Sequence, residues 1–391
     1  MLFPLTGRFP QMSHTFAIAR SQNYKCYNIG KKKVLRNRFL EIQDPFPYHD
    51  TMHVLGIETS CDETSASVVV DGAVKSNVIS SQLVHSRYGG VVPELASRAH
   101  QRLIVSVVEE ALRLAAVSKE DLDGVAATYG PGLAGALLVG LSFGKAFAYA
   151  LRIPFVGVNH MEGHLYSNLL TVEKPDFPFL SLIVSGGHTM LVHVQQPFRH
   201  RLLGQTRDDA AGEAFDKVAK MLGLGYPGGP LIDKLARTGN PHAVDFPRSY
   251  LDSRKHEFSF SGIKTAVLYY LKRSGLEEAG TKAEWGDSQQ RADLCASFQE
   301  AVVDVLVEKT IAAARMVGVR DITMAGGVSA NSRLRAVMSR EASRAGCRLF
   351  YPPLEYCMDN GAMIAHVGWM RLAGGDRSTL DIPAVPNLEL A

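Results

Sequence analysis

From position 54 onward the chain settles into short apolar runs separated by tight turns and longer amphipathic stretches. Residues 53–70 read as strand, turn, strand: VLGIE, then the turn TSCDET, then SASVVV. Residues 179–194 repeat the pattern with FLSLIV, SGGHT and MLVHV. Each hairpin opens about half of the body. Helical patterning follows each, over 94–117 and 132–151 in the first half and 211–222 and 291–317 in the second. Between the helices lie the short apolar strands GVAATY, FVGVNH, DITMAGG and RLFYPP. Strands alternating with helices predict an α/β fold with parallel components. The repeated hairpin predicts a duplicated architecture, with one lobe over 52–178, a second over 179–391 and a cleft between them. Glycine and small residues cluster at strand ends, where open α/β sheets hold their ligands.

Composition changes this picture only at the N-terminus. At 391 residues, 46% apolar and 21% charged, the chain has the make-up of a folded globular protein. No uninterrupted apolar run approaches the ~20 residues of a bilayer span, so no membrane partner is expected. The five cysteines, Cys26, Cys61, Cys295, Cys347 and Cys357, are scattered, without a CxxC pair. That fits a reducing compartment and excludes a zinc ribbon. The net charge of +3 is concentrated in residues 1–51, which hold eight Lys/Arg and three acids, leaving 34 basic against 36 acidic residues in the body. The basic excess therefore says nothing of a nucleic-acid surface on the body. Residues 1–51 read as an N-terminal extension: a reading frame opened too early with Met52 as the start, a transit peptide, or a disordered appendage. The first and third readings place the protein in the cytoplasm, the second in mitochondria.

The candidate chemistry lies in the turns. His160 and His164 are four residues apart in HMEGH, neighbours on one helix face roughly 6 Å apart at Cβ. They could grip one metal ion, with Asp359 of MDNG closing the site from far along the chain. A zinc protease needs Glu directly after the first His. That position is Met161, and Glu162 points away from both imidazoles, so the protease reading fails on geometry. Gly130-Pro-Gly132-Leu-Ala-Gly135 has the letters of a dinucleotide fingerprint, but Pro131 sits in the turn and no acid follows about 20 residues on. Gly140 to Lys145 is not a phosphate-binding Walker loop, since Ala146 stands where Ser or Thr must be. Three other loops suit anions: 185–189 (SGGHT), 226–230 (YPGGP) with Asp216 and Asp233 nearby, and 326–331 (GGVSAN) at a helix start.

In family order, these segments resemble the TsaD family of tRNA N6-adenosine threonylcarbamoyltransferases: LGIETSCDET, YGGVVPELASR, GPGLAGALLVG, HMEGH, LIVSGGHT, DDAAGEAFDK, YPGGP, FSFSGIKT, MAGGVSAN and MDNGAMIA. They run from Met52 to about Gly375. The resemblance implies a duplicated, two-lobed actin-like or Hsp70-like ATPase (ASKHA) fold. It implies transfer of threonylcarbamoyl from threonylcarbamoyl-AMP to N6 of the adenosine 3′ of the anticodon in tRNA. His160, His164 and Asp359 would hold one divalent metal per subunit, iron ahead of zinc. Ile183, Val184, Ser185, Gly186, Gly187, Asp216, Gly229, Asp233 and Asn331 would hold the adenylate. Asp62 and Glu63 would stand over the reacting centre as the catalytic acids. Partners would be TsaB-like and TsaE-like proteins in bacteria, or a second copy in organelles. The small-residue helix over 132–151 is expected to present an exposed ridge, Ala136 included, to such a partner. The rival readings are an ATP-dependent kinase of the same fold, and a non-catalytic partner subunit, which would lack the histidine pair.

Overall fold

The computed structural model describes residues 24–29, 32–37, 51–82, 90–249, 256–276 and 288–390. Residues 1–50 form a unit of their own, in which β1 (Tyr24–Ile29) pairs antiparallel with β2 (Lys32–Asn37). The rest of the extension, and with it the three readings of its origin, lies outside the described residues, as do Tyr88 and Gly89 of the YGGVVPELASR segment.

The body is built on two five-stranded sheets with one topology. In the first, β3 (His53–Glu58), β4 (Glu63–Val70) and β5 (Ala73–Ser81) form an antiparallel meander, and β6 (Gly124–Gly130) and β7 (Phe155–Asn159) add in parallel on the other side of β3. The second repeats this with β8 (Phe179–Val184), β9 (Thr189–Gln196), β10 (Arg199–Gln205), β11 (Asp321–Ala325) and β12 (Arg348–Phe350). In strand order each sheet reads 3-2-1-4-5. The opening strands are continuous apolar runs because they are buried on both faces, and every residue of β8 is buried. Burying each Val, Leu or Ile side chain there contributes about 1.5–3 kcal/mol.

Helices cover the sheets where the sequence pattern places them: Pro93–Ala115, Ala134–Leu151, Ala211–Met221 and Ser288–Val317. The last large helix, Gly361–Ala373, packs on β3, β4 and β6 of the first sheet, although it follows the strands of the second. Close approach explains its glycine-rich contacts: a Cβ at Gly56 would lie 2.3 Å from the Ala365 nitrogen. A shared apolar cluster joins Val54, Val156 and Val158 with Phe179, Ile183 and Val192 through Met161, Leu165, Met363, Ile364 and Val367. The helix carrying His160 and His164 is thus embedded where the two sheets meet.

The helix Ala134–Leu151 corrects one expectation. Ala136 is fully buried, its carbonyl accepting a hydrogen bond from the Thr59 hydroxyl at 2.9 Å. A Cβ at Gly140 would fall 2.3 Å from Thr59 Oγ1, and one at Gly144 3.1 Å from Ala127 Cβ. The small residues let this helix lie close on the chain's own first sheet. Its outward face carries Leu138 and Tyr149 together with small residues, Ala134 and Gly135 of the expected ridge among them. By length and composition alone this helix is apolar enough to cross a membrane, and here that apolarity serves packing against β6 and Pro93–Ala115.

Candidate functional site

The short helix His160–Tyr166 starts directly after β7 because Asn159 caps it, its Oδ1 accepting from Met161 N at 2.8 Å. Gly163 allows the helix to press on Gly361–Ala373, since a Cβ there would meet Met363 and Ile364 at 3.0 Å. Asp359 arrives from the turn before that second helix. Asn360 caps the helix by accepting from Met363 N at 3.0 Å, and Gly361 N donates to Ser65 Oγ of β4 at 2.7 Å. Two capped helix starts, each pinned to the first sheet, therefore aim three side chains at one point.

There His164 Nε2 lies 3.0 Å and His160 Nε2 3.4 Å from Asp359 Oδ1. The three donor atoms lie within 4.8 Å of one another. Ligands each about 2.0–2.2 Å from one ion would be separated by roughly 3.0–3.4 Å, so the two His–Asp separations fit a shared cation. Two imidazoles and one carboxylate suit iron(II) or zinc alike. His160 is held from behind: its Nδ1 is 3.0 Å from Glu58 Oε2, and Thr128 Oγ1 donates to the same oxygen at 2.6 Å. Ser60 N donates to the other Glu58 oxygen. This carboxylate–imidazole pairing frees Nε2 for the ion. Burial pushes the Glu58 carboxyl up, but His160 outweighs it and the group ends below its usual range. Burial alone would lower His160, while Asp359 and Glu58 raise it well above the ordinary histidine value. Glu162 is paired with Arg371 at 2.8 Å, turned away from the imidazoles.

Asp62 lies in the turn between β3 and β4, and Glu63 is the first residue of β4. Burial first, then Asp359 and Asp62, push the Glu63 carboxyl up to about 9. Asp62 also raises Tyr226 and Asp216, behind burial in each case, so this turn lies near the YPGG loop.

The matching turn of the second sheet, residues 185–188, follows Ile183 and Val184 of β8. Ser185 N donates to His188 O at 2.8 Å, and His188 N to Ser185 Oγ at 3.1 Å. Nothing lies within 4 Å of a Cβ at Gly186, Gly187 or Gly229, so their backbones face open space. Asp216 Oδ1 accepts from Gly228 N at 2.7 Å and fixes the YPGG loop. Asp233 and Asn331 are more committed. Asp233 accepts from Ser332 Oγ at 2.7 Å; Asn331 caps the helix Ser332–Arg344 through its oxygen and donates its amide to Gln299 at 2.7 Å. His188 is pushed down to about 4 by burial and then by His160 and His164.

Three residues here escaped the sequence reading. Glu58 was visible as a charged residue ending an otherwise apolar strand. Ser60 and Thr128 gave no such signal, because a buried hydroxyl has no pattern in sequence.

The model of the family described as TsaD, tRNA N6-adenosine threonylcarbamoyltransferase, matches residues 73–366. A protein of that description from Salinibacter ruber is 56% identical over 341 residues, covering 87% of this chain and 100% of the relative. One from Symbiobacterium thermophilum is 53% identical, covering 86% of this chain and 96% of its own. Among solved structures, T. kodakarensis HypF is similar with a TM-score of 0.54 at 14% identity, covering 90% of this chain and 52% of that one. Full-length HypF in a phosphate- and nucleotide-bound form gives 0.52 at 14%, covering 84% and 47%. At such identities the likeness speaks for the fold alone, the duplicated ASKHA type.

Proposed function

The chain belongs to the TsaD family of tRNA N6-adenosine threonylcarbamoyltransferases, and from that premise we propose how its residues carry out threonylcarbamoyl transfer to tRNA. The observation that carries the reading is the convergence of His160, His164 and Asp359 beside an open glycine turn. The adenylate of threonylcarbamoyl-AMP lies along residues 183–187, its phosphate facing the Gly186 and Gly187 backbone, with Asp216, Gly229, Asp233 and Asn331 around the nucleoside. In the transfer, the adenine N6 forms a bond to the carbamoyl carbon, and the bond from that carbon to the phosphate oxygen breaks. AMP leaves with the electron pair, and one N6 proton is lost. An aromatic amine is a weak nucleophile, so positioning supplies much of the rate. Asp62 accepts the N6 proton, while Glu63 stands beside it over the reacting centre. His160, His164 and Asp359 would hold a divalent cation, which would supply positive charge against the charge developing on the leaving group. Iron comes ahead of zinc on family precedent.

TsaB-like and TsaE-like proteins, or a second copy of the chain, are the proposed partners, meeting the outward face of Ala134–Leu151 at Leu138 and Tyr149. The cytoplasm is the proposed compartment, with mitochondria the rival if residues 1–51 direct import; cleavage near residue 51 by isolated organelles would decide for the rival.

The direct test is transfer from threonylcarbamoyl-AMP to a tRNA transcript by the purified chain, with and without those partners and with and without chelator. Chelator-sensitive product at the adenosine 3′ of the anticodon is expected. Absence of product in every arm would overturn the reading.

A further inference from the structure

Beside the metal-bearing helix lies a cavity of about 250 Å³ that the scheme above leaves unused. It is lined by Pro131, Met161, His188, Met190, Leu202 and Gln205, and by residues 386–390 of the C-terminal segment. That segment is built into the site. Val385 N donates to Tyr129 O at 2.7 Å, Gly132 N to Pro386 O at 3.0 Å, and Asn159 Nδ2 to Glu389 O at 2.9 Å. A Cβ at Gly130 would sit 2.1 Å from the Val385 carbonyl oxygen, so the fit leaves no slack. Because Asn159 also caps the helix of His160, the cavity wall and the imidazoles are tied to the same residue.

The cavity's chemistry is specific. Its volume lies below the ~300–1,000 Å³ of pockets that enclose drug-sized ligands, which suits one planar ring system and not a whole nucleotide. Pro131, Met161, Met190 and Leu202 give it apolar walls. Its polar groups include the His188 ring and the exposed carboxamide of Gln205, which makes no side-chain hydrogen bond among the described residues. A carboxamide can pair bidentately with an adenine edge. An enzyme acting on a base in RNA must draw it out of its stack into such a pocket. With the adenylate assigned to the glycine loops, the acceptor base is the reactant still without a site. We propose that this cavity receives the unstacked acceptor adenine, with Gln205 and His188 along its polar edge and residues 386–390 as one wall. The proposal rests on the transferase reading above.

The test uses the full chain, in whatever assembly it transfers, with an anticodon stem-loop carrying 2-aminopurine at the acceptor position. Unstacking raises the fluorescence of that base. Leu202→Trp fills the cavity from a partly exposed position, and Gln205→Ala removes the amide while keeping the space. Leu202→Trp is expected to lose at least half of the fluorescence rise; 2-aminopurine lacks the 6-amino group that Gln205 would hold, so Gln205→Ala is read by transfer instead. Transfer to the unmodified stem-loop should fall at least tenfold in Leu202→Trp, and KM for RNA should rise in Gln205→Ala. Calorimetry with a stable adenylate analogue should give affinities within twofold of the parent for both. Full fluorescence change in Leu202→Trp and full transfer in both variants would overturn the cavity assignment while the transferase reading stands. A parent chain that neither binds the analogue nor transfers would overturn that reading, and this proposal with it.

Discussion

The turn after β3 and the turn after β8 occupy the same place in two sheets of identical strand order, yet they are built for opposite tasks. The first, residues 59–62, is packed with side chains. Thr59 is bonded to the Ala136 carbonyl, Ser60 to Glu58, and Asp62 and Glu63 bring acids toward Asp359. The second, residues 185–188, is stripped of side chains at Gly186 and Gly187 and leaves bare backbone open. One topology thus offers a crowded acidic turn in one sheet and a turn of open backbone in the other. Strand order fixes where a turn stands; side-chain content decides what it can hold.

The comparison breaks most completely at the proposed metal site beside the crowded turn. His164→Ala and His160→Ala should each abolish metal retention and lower transfer by at least about 100-fold, with the fold kept. Elemental analysis and circular dichroism check this, and full metal occupancy in either variant would refute the assignment. Glu58→Gln comes next: the carboxylate that orients His160 is lost while the shape is kept, so metal affinity should fall about 10–100-fold, read by chelator competition.

On the open side, Gly187→Val should weaken an adenylate analogue about tenfold, or ~1.4 kcal/mol, with an unchanged melting temperature because its Cβ has room. Gly212→Val is the contrast. Its Cβ would lie 2.5 Å from the Ser185 carbonyl oxygen, so stability should fall as well. Equal melting losses in both would mean the glycine turn is structural.

The smallest effect concerns Glu63. In the metal-free chain its folded-state pKa is raised from 4.5 to about 9. The unfolded chain releases that proton near 4.5, the folded chain only near 9, so ionisation favours unfolding increasingly across that interval. Glu63→Gln should therefore raise the melting temperature of the metal-free protein by a few degrees at pH 8 and leave it unchanged at pH 4. A constant difference at both pH values would show that burial does not govern this carboxyl.

The sequence by itself determined the elements and much of the chemistry. The period-2 and apolar-run patterns located eight of the ten strands of the two sheets and four long helices to within a few residues, because burial on one or both faces writes directly into spacing; the partly exposed edge strands β5 and β10 and the helices Ser261–Arg273 and Gly361–Ala373 went unread. The His160–His164 pair was legible because four residues is one helical turn, and Glu162 was excluded by the same geometry. The partner of that pair, and what stands behind it, were decided by tertiary structure. Asp359 is 195 residues from His164, and only the packing of Gly361–Ala373 back onto the first sheet delivers it. Glu58 and Thr128 reach His160 by strand pairing, which no local pattern encodes. Ala136 shows the limit from the other side: a small residue on a helix signals close approach, but the sequence cannot say to what. Here the neighbour was the chain's own Thr59, since a contact between distant segments depends on how the whole core closes.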